Sequence, residues 1–262
     1  MNSMSQVARI QRGSAMALSG ILCFACAMPT ESPDEEVLSV TAGLTGVNAQ
    51  SDEQSLSSQL TTLTIGVGST DFGLWYKTSE AGPWNPVTNS GSIIDVAILP
   101  GGALLAVGRD SSLYRRSSLF GEWQRVPNSS GVRSVDVLPN GTFIGVGTTD
   151  FGLWTKSNLT NNWVSVPNST GVRDISVLPS GTILGVGNTD FALWTRETLT
   201  SAWVTVPNSG GVRAVDVRPD GRIFGVGSTS SSLFFRPQLG SPWTSVPNSG
   251  GVQSVAVGLV TM

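Results

Sequence analysis

From Leu63 onward the chain alternates apolar and polar positions in short runs, none long enough or periodic enough for a helix. Val172, Ile175 and Val177 frame the polar pair Arg173 and Asp174, the pattern of a strand with one side turned inward. Four such runs follow one another in the clearest stretch: Thr142–Val146, Gly152–Lys156, Asn162–Val166 and Val172–Leu178. The residues between them are turn formers. Pro139-Asn-Gly, Pro179-Ser-Gly and Pro219-Asp-Gly combine proline's fixed φ with glycine's tolerance of positive φ, so they predict hairpins.

This four-strand unit repeats. Thr142–Gly181 and Thr182–Gly221 are near copies, and Trp84, Trp123, Trp163, Trp203 and Trp243 fall 39, 40, 40 and 40 residues apart. The phrase V-P-N-S recurs at Val126, Val166, Val206 and Val246, with Val87-Thr-Asn-Ser as its first, weaker form. A fixed period of this length marks stacked or radial supersecondary units. Five four-stranded units predict an all-β, five-bladed β-propeller of about 40-residue repeats. The phase predicts how it closes. The chain enters at Leu63-Thr-Ile-Gly-Val-Gly, which aligns with the second strand of a unit. It leaves at Val252-Gln-Ser-Val-Ala-Val257, which aligns with the first. N- and C-terminal strands then share one blade, and no sheet edge is left open. Residues 63–262 form this domain.

Strand order also sorts the loops. With V-R-D-I-S-V innermost, the loops between the second and third strands share one end of the ring with the blade-to-blade P-N-S-x-G-V-R connections. That end gathers Asp71, Asp150 and Asp190, Phe72, Phe151 and Phe191, Asn128, Asn168, Asn208 and Asn248, and Arg133, Arg173 and Arg213. A second aromatic column, Trp75, Tyr114, Trp154, Trp194 and Phe234, is followed two residues later by Lys77, Arg116, Lys156, Arg196 and Arg236. A spacing of two puts each ring and its cation on one side of a strand. These rings suit either packing between blades with cation–π contact or a platform for the flat apolar face of a sugar. The five period-marking tryptophans occur in every copy, which fits a packing anchor.

The T-D-F loops differ among copies. The second reads Gly108-Arg-Asp-Ser-Ser-Leu, one residue shorter, and the fifth Ser228-Thr-Ser-Ser-Ser-Leu. A loop that only closes a turn does not need both a carboxylate and a phenyl ring, so binding is expected there. The plainer role is that the Asp caps its own turn and the Phe packs on a neighbouring blade.

The run W-x-x-V-P-N-S-x-G-V-R-x-V-x-V-x-P-x-G-x-I-x-G-V-G-x-x-x-x-L-W-x-R resembles the tectonin repeat, with Leu113-Tyr-Arg-Arg116 as the closest match. The five-fold count is similar to the tachylectin-type lectins. The resemblance covers roughly residues 63–258 and implies a sugar- or cell-surface-binding propeller. Its expected ligands are glycans on cell surfaces or polysaccharides, met by Asp71, Phe72, Trp75, Asp150, Phe151, Trp154, Asp190, Phe191 and Trp194 with the asparagines and arginines of the same end.

Charge and composition narrow the alternatives. From residue 63 onward 12 acids face 13 bases, so the domain lacks the basic excess of a nucleic-acid binder. The chain has no histidine, which removes the usual hydrolase triads. Neither His–Cys metal spacing nor an EF-hand loop is present, so no cofactor or metal is expected and the protein is not expected to be an enzyme. The remaining catalytic option is a carboxylate pair such as Asp150 and Asp190.

Ahead of the repeats, residues 1–27 combine Arg9 and Arg12 with an apolar run and the exit Ala25-Cys26-Ala27, the pattern of a secretion signal cleaved before Met28. A lipid anchor on Cys26 is the alternative, and the run is too short to span a bilayer. Residues 28–62 carry Glu31, Asp34, Glu35, Glu36, Asp52 and Glu53 without a single base, and read as a flexible acidic linker.

Overall fold

The computed structural model describes residues 60–262. The expected secretion signal, and the expected linker up to its last three residues, lie outside them. The described residues build twenty strands and no helix, arranged as five four-stranded antiparallel sheets. The second blade holds β4 (Ile93–Ile98), β5 (Leu104–Gly108), β6 (Leu113–Arg116) and β7 (Gln124–Arg125). The third holds β8 (Val132–Val137), β9 (Phe143–Gly147), β10 (Leu153–Lys156) and β11 (Val164–Ser165). The fourth holds β12 (Val172–Val177), β13 (Ile183–Gly187), β14 (Leu193–Arg196) and β15 (Val204–Thr205). The fifth holds β16 (Val212–Val217), β17 (Ile223–Gly227), β18 (Leu233–Arg236) and β19 (Thr244–Ser245).

The first blade uses both ends of the domain. β1 (Leu60–Gly68), β2 (Leu74–Lys77) and β3 (Asn85–Pro86) take the last strand, β20 (Val252–Thr261), as their innermost member. β1 and β20 pair from Leu60 opposite Thr261 to Gly68 opposite Val252, so the closure expected from the repeat phase is observed. β1 starts at Leu60, ahead of the Leu63 suggested by the repeat.

Outer strands are shorter than the alternation suggested: Asn162–Val166 contracts to Val164–Ser165. Val166 still donates its N–H to Leu153 O, but Pro167 comes next, and a residue without an N–H cannot extend the ladder. Very short outer strands also leave little edge for another chain to pair with.

The period-marking tryptophans hold blades together, as the packing role requires. Each ring crosses the second strand of its own blade where the residue is small. A Cβ on Gly185 would stand 2.9 Å from Trp203, and one on Gly145 would stand 3.0 Å from Trp163. A buried cation lies over each ring: Lys77 over Trp84, Arg116 over Trp123, Lys156 over Trp163, Arg196 over Trp203 and Arg236 over Trp243, at 4.4–5.7 Å. These cations therefore serve the period tryptophans and not the rings two residues before them. Three of the head groups, those of Lys77, Lys156 and Arg196, cross to the preceding blade. Lys156 donates to Pro127 O at 3.0 Å and Asn128 O at 3.1 Å, and Arg196 donates to Asn168 O at 2.9 Å. Lys77 donates to Pro247 O at 3.0 Å across the seam where the ring closes.

Around the axis, innermost strands are joined by carboxylates, of which Asp95 and Asp174 are buried and Asp136 and Asp216 half-buried. Asp95, Asp136, Asp174 and Asp216 each accept a backbone N–H from the next blade, those of Val135, Val177, Val215 and Val257, at 2.6–2.9 Å. Burial in the narrow channel disfavours their charged form. It pushes Asp95 up to about 6 and Asp136 to about 7 against the N–H bonds that favour ionisation, and it holds Asp174 and Asp216 well above the ordinary range.

Every innermost strand also carries one β-bulge at the same place. The register skips Ile94, Arg133, Arg173, Arg213 and Gln253 in the five blades in turn. A bulge leaves one residue unpaired and re-aims its side chain. These five gather at the axial mouth nearest the T-D-F loops.

Candidate functional site

The loops between second and third strands share one construction. The first oxygen of the loop aspartate accepts the N–H of the residue two positions on: Asp71 from Gly73 at 3.1 Å, Asp110 from Ser112 at 3.1 Å, Asp150 from Gly152 at 3.2 Å, and Asp190 from Ala192 at 3.1 Å. This is an Asx turn. The residue inside the turn takes positive φ: 56° at Phe72, 60° at Ser111, 51° at Phe151, 54° at Phe191 and 53° at Ser231.

The second carboxylate oxygen reaches the ring four positions on. Trp75, Trp154 and Trp194 donate their indole N–H to Asp71, Asp150 and Asp190 at 2.9, 3.0 and 3.1 Å, and Tyr114 donates its hydroxyl to Asp110 at 3.0 Å. All four aspartates are exposed and all four rings half-buried. A glycine makes the arrangement possible. A Cβ on Gly147 would run into the Asp150 carboxylate and stand 2.8 Å from Trp154 Nε1. In the fifth copy both partners change together. Ser230 stands where the carboxylate does elsewhere, and Phe234, which has no donor to offer, replaces the indole.

Asp110 is not among the sequence candidates, and Tyr114 reads only as a member of the aromatic column, because the second loop is a residue shorter and lacks the phenylalanine. The signal was present in the spacing: aspartate and a ring with a donor stand four apart in that copy as in the other three. The shorter loop leaves a cavity of about 370 Å³, lined by Arg109, Asp110, Tyr114, Trp123 and the chain at Gly91–Ile93.

Phe151 and Phe191 turn from the clamped rings towards the axis, and Phe72 towards the next blade. Phe151 stacks with Arg133 at 5.2 Å and Phe191 with Arg173 at 4.9 Å, while Phe72 meets Arg109 at 4.4 Å. Arg133, Arg173 and Arg213 do not join the tryptophans. They converge with Ile94, Gln253 and the acids Asp95 and Asp174 on a cavity of about 210 Å³ at the axial mouth.

The asparagines lie in a third place. Asn128, Asn168, Asn208 and Asn248 occupy positive-φ turns, at 50–53°, a conformation asparagine tolerates well. Asn128 Nδ2 donates to Thr160 O of the next blade, and Asn248 Nδ2 to Ala81 O. Asn128 thus borders a groove with Thr155 and Asn161, beside the loop between third and fourth strands. The connections that carry these asparagines still border the T-D-F loops, since Ser169 Oγ accepts Leu153 N–H and Phe151 O accepts Val172 N–H.

Among the described residues there is no group of His, Cys, Asp and Glu side chains arranged to hold a metal ion, and no helix is long and apolar enough to cross a membrane.

Comparison with known proteins gives a family and a fold. The family description "Tectonin domain" matches residues 64–261. No curated protein matches the chain. Among solved structures, the chain is similar to a symmetrical protein whose de novo evolutionary emergence is shaped by folding constraints. The two share 13% identity over 74% of this chain and 97% of the other, with a TM-score of 0.57. It is similar to a chain of the nidogen/laminin complex at 8% identity, over 75% of this chain and 98% of the other, with a TM-score of 0.52. A gluconolactonase from Xanthomonas campestris aligns at 8% identity over 74% and 79% of the two chains, with a TM-score of 0.49. At these identities the likeness is one of fold.

Proposed function

The chain belongs to the tectonin family, and on that premise we propose that it is a secreted, multivalent carbohydrate-binding protein whose sites are the carboxylate-clamped rings. The observation that carries this reading is the clamp of Asp71 on Trp75, Asp110 on Tyr114, Asp150 on Trp154 and Asp190 on Trp194. The fifth copy closes the same loop with Ser230 and Phe234, so the turn alone does not require the pair. A ring already fixed in one orientation loses little freedom when a ligand covers it. Each carboxylate oxygen keeps a spare lone pair after its protein hydrogen bond, free to accept from a sugar hydroxyl. Four similar weak sites on one rigid ring gain avidity on a dense glycan surface without any new contact.

Binding rather than turnover fits the chemistry. There is no histidine, and the two cysteines, Cys23 and Cys26, both fall in the expected secretion signal. Asp150 and Asp190 are each engaged by a turn and an indole of their own blade, which weighs against a cooperating acid pair.

The test is a glycan array probed with the full chain and repeated with free sugars as competitors. Selective retention that a monosaccharide displaces is the expected result. A blank array from a protein with an intact thermal transition contradicts the reading and favours a propeller that binds proteins.

A further inference from the structure

The five bulges put something at the axis that the clamped rings do not need. Arg133, Arg173 and Arg213 are the skipped residues of three innermost strands, and Gln253 is that of a fourth. All line the same small cavity. None of the three guanidinium groups has a carboxylate within ion-pair distance; the four ion pairs of the described residues involve Arg125, Arg218 and Arg222. Arg213 donates to Ser231 Oγ and Val252 O. Its Nε, that of Arg173 and the Gln253 amide nitrogen are buried with no partner. A buried donor left unmade costs free energy, and like charges brought together cost more. Arg173 responds as expected: burial first, and then the neighbouring Arg133, lower its proton affinity, with Asp174 opposing them and Arg213 adding to them.

Asp95 and Asp174 also line the cavity, but neither stands within ion-pair distance of an arginine there. Asp95 spends both oxygens on the walls, accepting Val135 N–H and the Ser254 hydroxyl, and Asp174 spends one on Val215 N–H, its charge offsetting part of the cluster's. Phe151 and Phe191 brace two of the arginines from outside. The result is a set of donors converging from separate blades on one cavity, of which Arg173 Nε, Arg213 Nε and the Gln253 amide nitrogen find no partner in the protein.

We propose that the axial mouth on the T-D-F side is a single oxyanion-binding site, formed by Arg133, Arg173, Arg213 and Gln253. Its ligand is a carboxylate, sulfate or phosphate, either as a simple ion or as a substituent of an acidic sugar. Guanidinium forks match the geometry of these groups and bind them through short, charge-assisted hydrogen bonds. The site is one per ring, whereas the clamped rings repeat around it, so its existence does not depend on the carbohydrate reading.

Titration calorimetry on the full chain at low salt tests this, with inorganic sulfate, inorganic phosphate and a galacturonate trisaccharide as separate probes. The expected result is one equivalent bound per chain by at least one probe, weakening as sodium chloride is added. Preference for the trisaccharide identifies an acidic sugar, and equal binding of the small ions identifies a free-ion site. Arg173→Gln is expected to weaken binding by about tenfold or more, the loss of hydrogen bonds to a charged group. Arg115→Gln removes the same charge outside the cavity and is expected to leave binding unchanged. No saturable binding of any probe, several equivalents per chain, or equal losses in the two variants would overturn the proposal. Should Arg173→Gln fail to give a cooperative thermal transition, Arg213→Gln carries the comparison, and the wild-type stoichiometry decides in either case.

Discussion

A chain ending at Gly251 does not fold into the ring, and a synthetic peptide of residues 252–262 restores it. β20 supplies the innermost strand of the first blade, and its Val252, Val255, Val257 and Val260 are all buried. At roughly 1.5–2 kcal/mol for each valine, their loss removes about 6–8 kcal/mol, a large share of the ~5–15 kcal/mol that holds a domain together. Further losses come with it. The pairing from Leu60 to Gly68 disappears, and so does the acceptance of Val257 N–H by Asp216 of the neighbouring blade. The exposed edge of β1 is then free to pair with other chains. Thermal unfolding followed by tryptophan fluorescence reads the result. A truncated chain that melts at the wild-type temperature contradicts the closure account.

Raising the pH from 5 to 8 lowers the melting temperature, against the usual behaviour of carboxylates. The folded ring keeps protons on the channel acids that the unfolded chain, with ordinary aspartates near pH 4, has already released. Asp95 titrates at about 6 and Asp136 at about 7, and Asp174 and Asp216 are raised as well. The folded state therefore binds more protons than the unfolded one. Stability is full below about pH 4 and falls as the pH climbs through the folded values. With Asp136 and Asp95 together contributing on the order of 4 kcal/mol across this range, the drop is about 10 °C for a domain of this size. Asp220 has the opposite sign, since its hydrogen bond with Arg218 holds it below the ordinary range, but it acts only in more acid solution. Asp136→Asn is expected to flatten the slope between pH 5 and 8. Scanning calorimetry at each pH measures it, and a melting temperature that is flat or rises over that interval contradicts the assignment.

The fold was legible because the repeat states it five times. Trp84 to Trp243 set the period, Pro–x–Gly turns mark the hairpins, and the phase offset between Leu63 and Val257 foretells the shared blade. Short-range features of the site were legible too, since Asp and ring stand four apart on either side of a tight turn. What eluded the sequence depends on backbone irregularity. The sequence set Arg133, Arg173 and Arg213 beside the T-D-F loops as partners of the rings, and only a bulge, which leaves no mark in the alternation, turns them to the axis. The asparagines answer to the backbone in a related way. They sit in V-P-N-S because the turn wants positive φ, and Asn128 and Asn248 spend their amides on carbonyls of the next blade. The cations two residues after the ring column pair with the period tryptophans instead, in the second blade, which has Ala106 on the adjacent strand, as in the others with glycine there.

The indole N–H groups test the central claim most directly. Of the eight tryptophans, Trp75, Trp154 and Trp194 are clamped by aspartates, and the other five mark the period between blades. A panel of neutral monosaccharides, added at millimolar concentration to nitrogen-15-labelled protein, separates the two sets. At least one sugar is expected to shift the three clamped indole signals together and leave the five interblade signals in place. If no sugar moves the clamped set, or if the interblade signals move while the clamped ones stay, the rings are packing elements and the carbohydrate sites are not where the clamps are.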